Sequence, residues 1–220
     1  MGTIPLKISK EAIYRRIGQD DGKNVSKRVA ANVDKAISVI EEIAVPKAVY
    51  KLVSVNNING EVIVGDGITF DSKKITQLLC PCEKAMIFVV TLGKEIDELI
   101  QESLLKHPYY GYIMDAVASI AVESAAEYIQ KTLEKEIAEI GKITLRYSPG
   151  YCDWPLCEQE KIFDILPNEK IDVNLSDQCC MEPRKSISGV IGVAPRSSDE
   201  FIKNLCKYCK NNNCPYRREE

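Results

Sequence analysis

Two stretches of this 220-residue chain gather side chains capable of chemistry. The first is Arg146-Tyr147-Ser148-Pro149-Gly150-Tyr151-Cys152-Asp153-Trp154-Pro155, which holds the only Trp of the chain together with two Tyr, one Arg and one Asp. An arginine presents a planar fork of donors that matches a carboxylate. Gly150 permits a positive φ or the close approach of a ligand. Pro149 and Pro155 remove backbone donors and stiffen the run. A stiff, aromatic, singly cationic loop between regular elements is where function tends to sit. The same composition also fits a structural turn with Trp154 plugging the core. The second stretch is Cys206-x2-Cys209-x4-Cys214-Pro215. Three thiolates at this spacing suit zinc or an iron–sulfur cluster, in which soft ligands converge on one centre. A fourth ligand would come from Cys80, Cys82, Cys179 or Cys180, because His107 is the only histidine. Without one, a cluster with an open iron is left, and a tail of free thiols is the alternative. Cys152 and Cys157 flank the loop and read as packing thiols.

The elements that must position these residues follow from periodicity and breakers. A short helix is expected over Ile8–Ile17, broken at residues 18–22. Asn24 or Ser26 caps a second helix that runs to about Ile43, with Val29, Val33, Ile37, Ile40 and Ala44 on one face. Val49–Val55 and Glu61–Val64 read as a hairpin around an Asn56–Gly60 turn. Asp71 is expected to cap a short helix over Ser72–Leu79. Lys84–Thr91 is the most apolar strand and therefore central, and a helix over Lys94 to about Lys106 follows it. Pro108–Gly111 is expected to separate that helix from a long one, Ile113 to about Ile140, ended by Gly141. Ala116, Ala118, Ala121, Ala125 and Ala126 let other backbones pack closely on it. Glu123, Glu127, Lys131 and Lys135 recur every four residues. They form a polar stripe that is either a solvated face or one that turns Glu123 or Glu127 toward a ligand.

A strand over Lys142–Leu145 enters the Arg146–Pro155 loop, and a helix over Leu156–Leu166 leaves it. A linker at Pro167–Glu169 and an extended piece or turn at Ile171–Leu175 follow. Short strands are expected at Cys179–Glu182 and Ser186–Val193. The glycines of the second allow contact with a ligand or a neighbouring strand. Ser197 or Ser198 caps a last helix through Leu205. The chain shows no internal repeat, P-loop or dinucleotide fingerprint.

Composition narrows the class. At 45% hydrophobic and 28% charged residues the chain is ordinary globular protein. A net charge of −3 with interleaved signs gives no surface for nucleic acid. The longest apolar run, Ala85–Leu92, is too short to span a bilayer, and the first 18 residues lack the apolar core of a signal peptide. A cytoplasmic protein is expected. Nine cysteines, an odd and clustered set, point to metal or redox chemistry and not to a disulfide framework.

Arg146-x-x-x-Gly150-Tyr151 with Asp153-Trp154-Pro155-Leu156 and Gln159, and later Pro183-Arg184-Lys185-Ser186-Ile187-Ser188-Gly189, resemble the two signatures of the activation (reactivation) domain of cobalamin (vitamin B12)-dependent methionine synthase. The resemblance covers roughly Ile8–Pro195. It implies an α+β fold with a twisted, mainly antiparallel sheet and long helices over residues 1–195, to which a cysteine-rich tail, residues 196–220, is appended. It implies S-adenosylmethionine as ligand: Arg146 on its carboxylate, Ser148, Gly150 and Tyr151 lining the groove, and Glu123 on the helix as the acid near it, with Glu127 the other candidate. A Tyr ring beside a sulfonium is a cation–π partner. Cobalamin is expected on a partner, the cobalamin-binding domain of methionine synthase or another corrinoid protein, because the chain has no such segment of its own.

The function that follows is a stand-alone reactivation subunit for a corrinoid methyltransferase. It would position S-adenosylmethionine while an external electron donor supports reductive methylation of cob(II)alamin, and it would have no turnover alone. The family's adenosine-holding aromatic residues have no counterpart in Val190–Ser198. That keeps an alternative open: an iron–sulfur or non-catalytic activator of a corrinoid protein that does not bind S-adenosylmethionine. The tail metal, Cys206, Cys209 and Cys214 with zinc or an iron–sulfur cluster, belongs to either reading.

Overall fold

The computed structural model describes residues 3–19, 25–166, 171–198 and 201–204. In chain order its elements are α1 (Lys10–Arg16), α2 (Lys27–Ile43), β1 (Lys47–Ile58), β2 (Glu61–Val64), α3 (Lys73–Leu79), β3 (Lys84–Thr91), α4 (Lys94–Lys106), α5 (Pro108–Ile137), β4 (Gly141–Ile143), a 3-10 turn (Leu156–Glu158), α6 (Gln159–Ile165), β5 (Asn174–Leu175), β6 (Met181–Glu182) and β7 (Ser186–Pro195). The described residues cluster into two compact units. One comprises 3–19, 25–48, 90–129 and 171–187; the other comprises 49–89, 130–166, 188–198 and 201–204.

The first unit is mainly helical. Serine side chains start α1 and α2: Ser9 accepts from the Ala12 N–H at 3.2 Å and Ser26 from the Val29 N–H at 3.3 Å. Each satisfies a donor that the first helical turn leaves without an intrahelical partner. Val33, Ala36 and Ile40 of α2, Ile96 and Ile100 of α4, and Ile113 and Val117 of α5 fill its core. Of the face expected on α2, Val33 and Ile40 are buried, together with Ala36, while Val29, Ile37 and Ala44 are half-buried. α5 begins at Pro108, so Pro108–Gly111 is its first turn and not a separator. A proline there forfeits no intrahelical hydrogen bond and arrives with a helical φ. β5 and β6 form a small antiparallel ladder, Asn174 opposite Glu182 and Leu175 opposite Met181.

The second unit is built on a five-stranded sheet of order β2-β1-β3-β7-β4. β1–β2 and β4–β7 pair antiparallel. Val45 N–H donates to Leu92 at one end of β1 and β3, and Val55 N–H donates to Glu83 at the other, so these strands also run in opposite directions. Glu83 N–H to Val193 and Leu92 N–H to Lys185 give the same sense for β3 and β7. β3 lies in the middle with every residue after Lys84 buried, as its unbroken apolar run requires. The β1–β2 connection is tighter than the five-residue turn expected. Asn56–Ile58 stay in the strand, and Asn59 (φ 53°) with Gly60 (φ 87°) makes the turn. Asn-Gly adopts this positive-φ pair readily, and its twist suits a hairpin.

α3 is capped by Ser72, whose hydroxyl accepts from the Ile75 N–H at 3.1 Å, and not by Asp71. α5 ends at Ile137, three residues before the expected stop. Residues 201–204 are not helical; the carbonyl of Lys203 instead accepts from the Leu145 N–H at 2.8 Å. The expected linker at Pro167–Glu169, the cap at Asn24 and the cysteine tail lie outside the described residues. Among the described residues no helix is long and apolar enough to cross a membrane.

Gly189 is among the glycines demanded by space. A Cβ on Gly189 of β7 would sit 2.5 Å from the carbonyl oxygen of Tyr147 and 3.1 Å from the Phe88 ring. Backbone cannot yield as a flexible side chain can. Gly189→Ala should therefore lower stability by about 1–3 kcal/mol, the usual cost of overpacking, read as an earlier urea midpoint at unchanged slope. An unchanged midpoint would show that the contact is not close.

Candidate functional site

The Arg146–Pro155 loop lies wholly in the second unit and is held at both ends. At its entry β4 loses its regular pairing with β7. Thr144 N–H donates to Gly192 O at 3.0 Å, and Tyr147 exchanges both backbone bonds with Val190, at 2.9 and 2.8 Å. Leu145 and Arg146 fall between these contacts. The Arg146 N–H is taken instead by the side chain of Gln130, at 3.1 Å. The same amide oxygen accepts from the Arg146 guanidinium, Nη1, at 3.4 Å. Gln130 lies on the last part of α5 and is only 9% exposed.

Past Tyr147 the chain closes a tight turn. Gly150 donates its N–H to Trp154 O at 2.8 Å, and Trp154 donates back to Tyr151 O at 3.0 Å. Gly150 has φ 93°, a conformation that L side chains rarely adopt, and its would-be Cβ meets only Leu156 Cδ1 at 3.6 Å. The glycine is required by backbone geometry here, not by crowding. Trp154 is 2% exposed and stands edge-on to Phe70, ring centres 5.1 Å apart. It is the core plug that one reading of the loop expected. Its indole N–H is buried with no hydrogen-bond partner among the described residues.

The exit is tied down by carboxylates. Asp153 Oδ1 accepts from the Ser72 hydroxyl at 2.7 Å, and Oδ2 from the Lys74 N–H at 3.3 Å. Glu158 accepts from the Asp71 N–H at 2.8 Å and pairs with Lys161 at 2.8 Å. Both acids therefore serve the start of α3, where backbone donors lack intrahelical partners and the helix dipole favours negative charge. Buried Gln159 accepts from the Ser188 hydroxyl at 2.7 Å, joining α6 to β7. Partial burial alone would raise the Asp153 carboxyl. The hydrogen bonds from Ser72, from the Lys74 N–H and from nearby backbone outweigh it and bring the carboxyl below its ordinary 3.8.

Four of the five ligand residues expected from the sequence thus share one short loop: half-buried Arg146, Ser148 and Tyr151, with exposed Gly150. The fifth, Glu123, is half-buried on α5 in the first unit, and Glu127 is exposed on the same helix. The second signature run is occupied with internal bonds. In the first unit Lys185 Nζ donates to Asp115 Oδ1 at 2.7 Å and to the Ser119 hydroxyl at 2.9 Å. There too the Ser186 hydroxyl reaches Thr91 Oγ1 at 2.8 Å. Of the two uses foreseen for the glycines of this run, Gly189 serves the contact with neighbouring backbone.

Gln130 and Glu158 were not singled out by sequence reasoning, and Asp153 was noted in the loop without its anchoring role. For Gln130 a signal existed: it occupies the buried position between Ala126 and Leu133 on α5, where an apolar side chain is the default. The expected metal ligands Cys206, Cys209 and Cys214 lie outside the described residues. Among the described residues no three His, Cys, Asp or Glu side chains gather as a metal site. Cys157 and Cys179 are disulfide-bonded, which corrects the packing-thiol reading of Cys157 and leaves Cys179 no thiolate to offer a metal. Cys80, Cys82, Cys152 and Cys180 are free thiols. Burial, with Cys80 beside it, pushes the Cys82 thiol up to about 12, so it too is a poor ligand. A pocket of about 460 Å³ in the first unit, bordered by the 3.1 Å ion pair of Lys47 and Asp172, contains none of the expected ligand residues.

Comparison with known proteins gives two findings. A family model described as vitamin B12 dependent methionine synthase, activation domain, matches residues 82–212. Among solved structures, the MetH reactivation domain bound to AdoHcy superposes with a TM-score of 0.59 at 20% identity, over 84% of this chain and 70% of that one. That likeness establishes the fold: mixed α/β with a mostly antiparallel sheet and long helices. No curated protein matches the sequence.

The anchoring of the loop can be tested through pH. A carboxyl lowered on folding contributes stability above its unfolded pKa, and that contribution is lost as pH falls through the lowered folded value. Asp153→Asn should therefore be less stable than the wild type at pH 7. The gap between their urea midpoints should close as pH falls below about 4. A gap that stays constant with pH would rule out the charged Asp153 as the anchor.

Proposed function

Because the chain belongs to the family of vitamin B12-dependent methionine synthase activation domains, we propose that the Arg146–Trp154 loop binds S-adenosylmethionine for the reductive methylation of a corrinoid carried by a partner. The observation that carries this reading is the state of Arg146. Its guanidinium is half-buried, oriented by Gln130 and set in a turn that exposes the Gly150 backbone. The donor set suits the methionine part of the ligand. A guanidinium forks onto its carboxylate, the Ser148 hydroxyl and exposed backbone offer further hydrogen bonds, and the Tyr151 ring is a cation–π partner for the sulfonium. The AdoHcy held by the MetH reactivation domain has the same amino-acid end. The residues named here all belong to the second unit.

The division of labour follows from these residues. S-adenosylmethionine supplies the methyl group, and an external donor supplies the electron. This chain binds and orients the ligand and docks on the cobalamin-binding domain of its partner. It forms no covalent bond to the ligand.

A hydrogen bond to a charged group contributes about 1.5–3 kcal/mol. Arg146→Ala should therefore weaken AdoHcy binding by about tenfold to a hundredfold, with a melting curve close to wild type. Arg146→Lys should recover part of the loss, since a point charge replaces a fork. Calorimetric titration of the three proteins decides. No binding by the wild type at millimolar AdoHcy would turn the reading to an activator that makes only protein contacts. Equal binding by Arg146→Ala would remove the site from this loop.

A further inference from the structure

We infer that Gln130 is a positioning residue that aims the Arg146 guanidinium at a ligand carboxylate; the inference rests on the reading of the loop as the ligand site. Gln130 is 9% exposed, and one oxygen of its side chain meets two donors of a single residue: the Arg146 N–H at 3.1 Å and Nη1 at 3.4 Å. Arginine has donors only, and so does a backbone N–H, so it is the acceptor end of the amide that must face them. The first bond fixes the Arg146 backbone where it leaves the β4–β7 ladder. The second fixes the direction of the guanidinium. A guanidinium already held through one of its nitrogens loses less freedom when a carboxylate arrives.

The chemical type at position 130 carries the argument further. A glutamate would accept the same two hydrogen bonds at nearly the same size. It would also place a negative charge against the guanidinium and compete with the incoming carboxylate. A neutral amide orients the cation and adds no charge of its own. If the only task were to satisfy the stray N–H and fill the space, glutamate would serve as well. The two roles therefore predict different outcomes for the same substitution.

The experiment is calorimetric titration of AdoHcy into the wild type, Arg146→Ala, Gln130→Glu and Gln130→Met, with a melting curve for each. Gln130→Glu is expected to melt close to wild type yet bind at least tenfold more weakly. Gln130→Met keeps the volume without the acceptor and is expected to weaken binding about tenfold. Binding that Arg146→Ala removes but Gln130→Glu leaves unchanged overturns the role of Gln130 while the ligand site stands. So does a loss of affinity in both Gln130 variants that merely follows a lowered melting temperature. A wild type that does not bind AdoHcy overturns the site itself, and this inference with it.

Discussion

Between Tyr147 and Val190 two backbone hydrogen bonds, 2.9 and 2.8 Å long, clamp the functional loop to β7. The clamp closes only because residue 189 is glycine, with the Tyr147 carbonyl 2.5 Å from where a Cβ would stand. Everything else about the loop is set by this contact. It fixes where the chain leaves the sheet and so strands the Arg146 N–H, which α5 then takes up through Gln130. It also fixes where the turn at Gly150 begins. The buried Trp154 and the two carboxylates at α3 then hold the far end. A loop tethered at both ends by buried or charge-assisted contacts is preorganised, and ligand binding need not supply that order.

The distribution of charge follows from the same tethers. Asp153 is the acid within the loop, and a pair with Arg146 would make that arginine structural. The Asp153 oxygens are instead engaged by Ser72 and the Lys74 N–H. Glu158 is engaged by the Asp71 N–H and Lys161. The start of α3 draws both carboxylates through its backbone donors and dipole. Gln130, the residue that orients the cation, is neutral. The second signature run supports this arrangement from behind, with Ser188 on Gln159 and Gly189 under Tyr147.

How much of this could be read in advance depended on the range of the interaction. β3 and α4 begin and end where the sequence expects them, because an unbroken apolar run and a three-and-four stripe are local signals. The starts of α3 and α5 were missed by one to five residues. Asp71 and Ser72 are both good caps, and which is used depends on the distant Glu158 that holds the Asp71 N–H. Pro108 looks like a breaker until it is recognised as a first-turn residue. The Arg146–Pro155 loop stood out because its residue types are unusual in combination: the lone Trp, an Arg, paired Pro and a Gly. Gln130 was not, because its partner lies 16 residues away and a single glutamine announces no partner. The disulfide state of Cys157 and Cys179 depends on distance in space, which cysteine counting does not supply.

The central claim is that residues 146–154 form a ready-made site for the amino-acid end of an adenosylated sulfur ligand. Amide resonances of the labelled protein, followed while AdoHcy is added, test it most directly. The account predicts saturable shifts at Arg146, Ser148, Gly150 and Tyr151, while Tyr147, Val190 and the α3 amides stay in place because the clamp and the anchors do not move. Shifts confined to residues outside 146–154, or none at saturating ligand, would contradict it.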